Sequence, residues 1–306
     1  MTSDGKFPRV AVVGAGAVGS YFGGMLARAG VPVTLVGRAA HIEAIRRDGL
    51  LIDSIHFREH VPIEATTETA AVRDAEHVLL CVKTLDTEST ARQIAPQLAP
   101  HAAVFSFQNG VDNVDVIRAA SGIEAWPVVV YVAAAIPTPG AIKHSGGGRL
   151  VVGPGAPSAK LAAAFEQAKV SCPVSPNIEG ELWKKLVFNC AGNAITALGR
   201  SSYGGLARHE PSVAVMRAAI EEVLAVACAA GVQVPDEDYF AAAMAFARNL
   251  GEATSSTAQD VQRGKRTEID SLNGYVARRG AELGVPTPVN HTMYALLKLL
   301  EESTLR

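Results

Sequence analysis

The sequence predicts an α/β amino-terminal domain built on a mostly parallel sheet, followed by an all-α carboxy-terminal domain. Three observations lead there. The chain has 306 residues, room for two domains at roughly 150 residues each. Its first half alternates short β-branched runs with helical stretches, the pattern of parallel strands covered on both faces. After Pro176 the texture changes to long helical patterns with few strand signals.

In chain order, Val10–Val13 reads as a strand, Ala17–Ala29 as a helix and Val31–Val36 as a second strand. His77–Val82 and Ala103–Phe107 are further apolar runs of strand length, separated by a helical stretch at Thr87–Leu98. Trp126–Ala135 and Gly148–Gly153 read as two more strands, and Lys160–Lys169 as a helix. Five helical patterns follow, at Gly180–Leu198, Pro211–Ala230, Asp236–Leu250, Thr257–Leu283 and Val289–Glu302. Glycine- and proline-bearing breaks at 199–205, 231–235 and 284–288 separate several of them. The boundary falls near 176–180, so the expected domains are residues 1–178 and 179–306.

Composition excludes several classes. Twenty-eight basic and 30 acidic residues give a formal charge of −2, against the basic excess of a generic nucleic-acid binder. Cys81, Cys172, Cys190 and Cys228 stand far apart with no CxxC pair, so neither a metal site nor a disulfide framework is indicated. Reduced thiols in a cytoplasmic protein are the simplest reading. The amino terminus lacks the basic and apolar regions of a signal peptide. The longest uncharged stretch, Ala125–Ile142, is interrupted by Pro127, Pro137 and Pro139, which a membrane-spanning helix would not tolerate well.

The first chemistry-bearing motif is Gly14-Ala15-Gly16-Ala17-Val18-Gly19, a match to G-x-G-x-x-G. Bare, the pattern is weak. Here it follows an apolar strand, opens a helix and is followed by a second strand, the context of a Rossmann-type dinucleotide site. In that context Gly14 permits the turn, Gly16 lets a pyrophosphate approach the backbone, and Gly19 lets helix and strand pack closely. The helix N-terminus adds unpaired N–H groups and a favourable dipole. An Asp or Glu would normally end the second strand and hold the ribose hydroxyls of NAD. This chain has Leu35-Val36-Gly37-Arg38 there, and a guanidinium in place of a carboxylate favours the 2′-phosphate of NADP(H). A solvated loop arginine is the plainer alternative. Lys83, just past the strand at 77–82, lies on the ligand side of such a sheet, as a cofactor contact or as a solvated lysine.

In the second half, Lys185, Asn189 and Asn193 recur at i, i+4 and i+8, one stripe on a helix that is otherwise apolar nearly all round. Polar groups on so apolar a helix need partners or a polar cavity, although a snorkelling lysine beside two capping asparagines has the same spacing. A second constellation is Ser255-Ser256 with Thr267-Glu268-Ile269-Asp270. Glu268 could pair with a buried lysine, or lie on a charged helix face with Arg266 and Asp270 as an ordinary i, i+4 pair. Asn109 ends another apolar strand within Gln108-Asn109-Gly110, which is also a common turn sequence.

Together these segments resemble the ketopantoate reductase (2-dehydropantoate 2-reductase) family over essentially the whole chain. The resemblance rests on GAGAVG with Arg38 and Lys83, on the QNG at 108–110, and most specifically on WKKLVFNCAGNAITAL at 183–198 and SSTAQDVQRGKRTEIDSLNG at 255–274. It implies a Rossmann domain followed by a helical domain, and reduction of a small 2-keto acid by NADPH on the route to pantothenate and coenzyme A. By the same resemblance Lys185 is the catalytic proton donor, supported by Glu268. Asn109, Asn189, Asn193 and Ser256 contact substrate, and Arg38, Lys83, Asn109 and the glycine loop contact the cofactor. Two positions depart from the family's common pattern: Ala194 stands where proline is frequent, and Thr257 where methionine is frequent.

Two other readings stay open at this level: a sibling reductase of another branched 2-keto acid, and a non-catalytic NADP(H)-sensing module. No nucleic acid, membrane or metal partner is expected. The alanine-rich helices could pack within one chain or between two, as in a homodimer.

Overall fold

The computed structural model describes residues 7–304. By contacts the chain divides into two compact units. The first runs through Gln108 and resumes over Asp112–Ile178; the second comprises Asn109–Val111 and Glu179–Arg306. Asn109–Val111, placed in the first segment by sequence reading, therefore clusters with the helical unit.

In the first unit the order is β1 (Val10–Val13), α1 (Ala17–Arg28), β2 (Val33–Val36), α2 (Ala39–Asp48), β3 (Leu50–Ser54), β4 (Arg58–Val61), β5 (Glu64–Thr66) and β6 (His77–Leu80). Then come α3 (Thr87–Ile94), β7 (Ala103–Ser106), α4 (Asn113–Ser121), β8 (Ala125–Ala135), β9 (Ala141–Val152) and α5 (Ala156–Gln167). Among the described residues the strands form one nine-stranded sheet in the order β4-β3-β9-β8-β7-β6-β1-β2-β5. Strands β5, β2, β1, β6, β7 and β8 are parallel to one another in sequence across the sheet. Antiparallel pairing enters only at β8/β9 and β3/β4.

Alternation along the parallel strands explains why they read as continuous apolar runs. Val10, Val12, Leu35, Leu79 and Phe105 join one core layer with Phe22, Leu26, Leu161 and Phe165. Their neighbours Ala11, Val13, Val78, Leu80 and Val104 face the opposite layer with Ile94 and Ile117. Both faces are buried, as a parallel sheet requires. After β1 the chain moves out to β2 and returns to β6 on the other side of β1, so the strand order reverses between β1 and β6. The crevice at the carboxyl ends of such a pair is where doubly wound sheets bind ligands.

Three differences from the sequence reading have physical causes. The short strands β3–β5 add to the strands expected: β4 carries Arg58, Glu59 and His60 exposed and gives no apolar run, and β5 is only three residues long. β9 is longer than Gly148–Gly153, since Gly146, Gly147 and Gly148 sit inside it with positive φ and irregular pairing to β8. The proposed helix Thr257–Leu283 is two helices with a loop between them.

The second unit contains α6 (Ile178–Leu198), α7 (Tyr203–Arg208), α8 (Glu210–Ala229), α9 (Tyr239–Leu250), α10 (Ser256–Gln262), α11 (Asn273–Leu283) and α12 (Pro288–Thr304). Its main core joins Trp183, Leu186, Val187 and Cys190 of α6 to Met216, Ile220 and Val223 of α8 and to Leu272 and Val276. Ala194, where the family often has proline, is fully buried, and α6 passes through it unbroken. Among the described residues no helix is long and apolar enough to cross a membrane.

The β1–α1 turn shows how tightly the glycine loop is built. Gly14 has φ +103°, and a Cβ there would stand 2.6 Å from the Val82 nitrogen. A Cβ on Gly19 would stand 2.2 Å from the Gly14 carbonyl oxygen and 2.9 Å from Val12. Gly19→Ala adds helix propensity, but the backbone contact outweighs it. The expected result is a loss of about 1–3 kcal/mol, read as a lower Tm in thermal unfolding; an unchanged or raised Tm contradicts this packing.

Candidate functional site

In the first unit the glycine loop is pinned to the end of β2. The Gly14 and Ala15 N–H groups both donate to the Val36 carbonyl, at 3.0 and 2.8 Å. This close approach requires Gly37, where a Cβ would lie 2.7 Å from that of Ala15. Sequence reading assigned Gly37 no role, although its place between strand and arginine was the available signal.

Gly16 differs from its neighbours. An added Cβ there would meet nothing within 4 Å, so its substitution would not disturb the protein but would fill the space in front of the loop. Gly16 is also the N-cap of α1, and the first turn carries neither a side-chain cap nor an acidic residue. Ala17 and Val18 form that first turn. An open cradle against an uncapped helix N-terminus fits a dinucleotide pyrophosphate.

Arg38 follows β2 after Gly37 and is the exposed N-cap of α2, whose first turn has no acid. A cation at the end of β2, with no carboxylate beside it in that turn, fits the 2′-phosphate of NADP better than a bare ribose diol. Lys83 is exposed at the carboxyl end of β6, and its carbonyl accepts from Asp86 N at 2.8 Å. Gln108, part of the QNG segment, is a further residue to which sequence reading gave no role of its own. Its Nε2 donates to the Val82 carbonyl at 3.2 Å and to Thr87 Oγ1 at 2.6 Å, while its Oε1 accepts from Ser106 at 3.0 Å. The amide thereby ties together the chain leaving β6 and β7.

In the second unit α6 carries the polar stripe. Trp183, Leu186, Val187 and Cys190 go to the core, leaving Lys185 and Asn189 partly buried and Asn193 buried on the other side. The two adjacent lysines are distinguished by their partners. Lys184 forms a salt bridge with Glu237 at 2.6 Å. Lys185 instead feels the charge of Glu268. Burial lowers the Lys185 ammonium to a pKa of about 8, and the Glu268 carboxylate opposes that shift.

Glu268 is itself buried, with 7% of its surface exposed. It lies just before the 3₁₀ turn Ile269–Ser271, within the connection between α10 and α11. Its Oε2 accepts from Asn109 Nδ2 at 2.8 Å. The structure therefore brings Asn109, Glu268 and Lys185 into one constellation within the helical unit. The surface i, i+4 alternative for this segment is replaced: Asp270 bonds Lys298 and Tyr294.

Asn193 is fixed at both ends. Its Oδ1 accepts from the Tyr203 hydroxyl at 2.9 Å, and burial pushes that phenol up to about 12, so it remains a donor near neutral pH. The Asn193 carbonyl accepts from Ser255 Oγ at 3.2 Å, and Ser255 accepts from Thr196 at 2.8 Å and caps α10 through Ala258 N. Of the serine pair, Ser255 is thus built into the scaffold, while Ser256 is the exposed first residue of α10. Thr257, in the position where methionine was expected, is buried at 2% exposure. With its oxygen committed to Tyr203, Asn193 has amide hydrogens to offer a ligand oxygen. Chemically, the second unit offers an acid with a pKa near neutrality, a carboxylate to support its charge, and neutral hydrogen-bonding amides.

Comparison with known proteins finds matches along most of the chain. Residues 10–157 match the family model described as ketopantoate reductase PanE/ApbA, and residues 177–301 match its C-terminal model. The 2-dehydropantoate 2-reductase of Halobacterium salinarum is 34% identical over 303 residues, covering 96% of this chain and 99% of that protein. Its counterpart from Pyrococcus abyssi is 31% identical over 297 residues, covering 95% and 97%. The crystal structure of a PanE/ApbA family ketopantoate reductase from Ralstonia eutropha JMP134 has a TM-score of 0.93 at 46% identity, covering 97% of this chain and all of that one. The chain belongs to the ketopantoate reductase family and is an oxidoreductase.

Proposed function

We propose that the chain reduces 2-dehydropantoate to D-pantoate with NADPH, a step toward pantothenate and coenzyme A. In this reading residues 1–178 hold the dinucleotide and residues 179–306 supply the acid and the substrate contacts. The observation that carries it is the pairing of a partly buried Lys185 with the charge of a buried Glu268 on the helix that also presents Asn189 and Asn193.

When bound, NADPH supplies the hydride that goes to the keto carbon. The residues provide the rest. As the C=O bond becomes C–O, negative charge grows on oxygen, and the Lys185 ammonium stabilises it and then transfers a proton to it. The products are the alcohol and a neutral lysine, which regains its proton from water. An ordinary lysine, with a reference pKa of about 10.4, is a reluctant donor at neutral pH; at about 8 Lys185 is still mostly charged and gives up its proton more readily. Glu268 opposes further lowering and so keeps the donor loaded. Asn109 holds the carboxylate, and Asn189, Asn193 and Ser256 bind the substrate's oxygens without adding charge.

On the cofactor side Gly14, Ala15, Gly16, Ala17, Val18 and Gly19 cradle the pyrophosphate, with Arg38 on the 2′-phosphate and Lys83 and Asn109 as further contacts. Gly16 and Arg38 support this assignment most directly, the first through its open front and the second through the absence of an acid in the first turn of α2.

Two outcomes test the reading. Lys185→Ala should lower kcat/KM for 2-dehydropantoate by about 10²–10⁴-fold while NADPH binding, followed by its fluorescence, stays close to wild type. Turnover equal to wild type would remove Lys185 from the reaction. Arg38→Ala should weaken NADPH binding by roughly 10- to 100-fold, the size of one charge-assisted contact, and leave NADH binding nearly unchanged. Equal weakening of the two cofactors would show that Arg38 does not read the 2′-phosphate.

A further inference from the structure

The segment that presents Glu268 is not held by a helix. Residues 263–268 lie between α10 and the turn Ile269–Ser271, so no continuous i to i+4 ladder fixes the carboxylate. What holds the segment is α12. Glu301 is buried at 5% exposure, and its Oε1 accepts from both the Thr267 N–H, at 2.6 Å, and the Thr267 hydroxyl. On the other side of Glu268, Asp270 accepts from Lys298 Nζ at 2.9 Å and from the Tyr294 hydroxyl at 3.0 Å. Lys298 also reaches Glu301 Oε2 at 3.3 Å, joining the two contacts into one unit on α12. Arg278 of α11 adds a bond to the Asp270 carbonyl at 2.9 Å.

Resting on the role assigned above to Lys185 and Glu268, we propose that α12 is the positioning element of the Glu268 carboxylate, with Glu301 and Lys298 as its positioning residues. They grip the residue before Glu268 and the residue two beyond it. The grip is also economical in charge: Lys298 lies between the Asp270 and Glu301 carboxylates, so the buried Glu301 is paired. A buried carboxylate with two donors and a cation holds its geometry far better than a solvated surface pair. The charged and titratable groups in this clamp are Glu301, Lys298 and Tyr294 from α12, Asp270 beside Glu268, and Arg278 from α11; on the Lys185 side it is Glu268 that opposes the effect of burial. Loosening the clamp lets Glu268 move away from Lys185, weakening the support for the ammonium.

The test uses the full-length protein with Glu301→Ala, Glu301→Gln and Lys298→Met, each checked for folding by circular dichroism and Tm. Two quantities are read. One is the kcat and KM for 2-dehydropantoate. The other is the titration midpoint of Lys185, followed by NMR of lysine-labelled protein without substrate and assigned by the signal lost in Lys185→Ala. Glu301→Ala should move the midpoint to lower pH and reduce kcat by roughly 10- to 100-fold, the usual cost of slight misplacement, with KM changed less. Lys298→Met should shift both in the same direction. Glu301→Gln lacks the charge but keeps an oxygen for Thr267, so it should recover most of the loss; no recovery would mean that Glu301 acts by charge and not by position. Folded Glu301→Ala and Lys298→Met proteins with a wild-type midpoint and kcat would overturn the proposal. A wild-type enzyme inactive on 2-dehydropantoate would instead sink the functional reading, and the substrate-free titration would still judge the clamp.

Discussion

A lysine inside a protein is caught between two opposing effects, and the helical unit is organised around that conflict at Lys185. Removing the ammonium from water disfavours its charge; a nearby carboxylate favours it. Burial is the larger effect here and Glu268 the counterweight, leaving the group near pH 8. Neither residue could hold this balance alone. Without a carboxylate the lysine would drift toward the neutral form and lose its proton, and without burial it would keep the proton too tightly to give it away. Asn109, tied to Glu268, and the contacts of α12 on either side of it serve the same balance from further out.

The α/β unit faces a different constraint, the close approach of backbone to backbone. The turn after β1 accepts no Cβ at Gly14 or Gly19, and its hydrogen bonds to Val36 bring it against Gly37. The result is a loop whose shape is set from behind, with open space in front of Gly16 and a cation at Arg38. Rigidity behind and access in front is what recognition of a phosphate by main-chain N–H groups requires. The proposed reaction thus draws on two kinds of order: a partly buried electrostatic pair in one unit and a tightly packed turn in the other.

Much of this was legible in the sequence where a local rule governs. Glycine spacing encodes the β1–α1 turn because each glycine answers a short-range steric demand, and the stripe of Lys185, Asn189 and Asn193 follows from helical periodicity alone. What could not be read depends on distant contacts. The spacing does not show that Lys184 is occupied by Glu237 while Lys185 faces Glu268. The pattern of Thr257–Leu283 looks like one helix, yet the chain opens around Gly264, with φ +60°, and α12 holds the loop that follows. Asn109 comes three residues after β7 in sequence, yet it clusters with the helical unit and takes its partner from a residue 159 positions away. Ser255 and Ser256 are equivalent as text; only the capping geometry of α10 separates the buried one from the exposed one.

The claim at the centre of this account is that a Lys185 ammonium, lowered by burial and supported by Glu268, delivers the proton. The most direct measurement is the pH dependence of kcat/KM for 2-dehydropantoate in wild type and in Glu268→Gln. Because the protonated lysine is the active form, the profile should fall as pH rises through about 8. With the carboxylate neutralised, burial acts unopposed and the fall should move to lower pH. A wild-type profile flat through pH 8 to 10, or a limb that stays in place in Glu268→Gln, would contradict it.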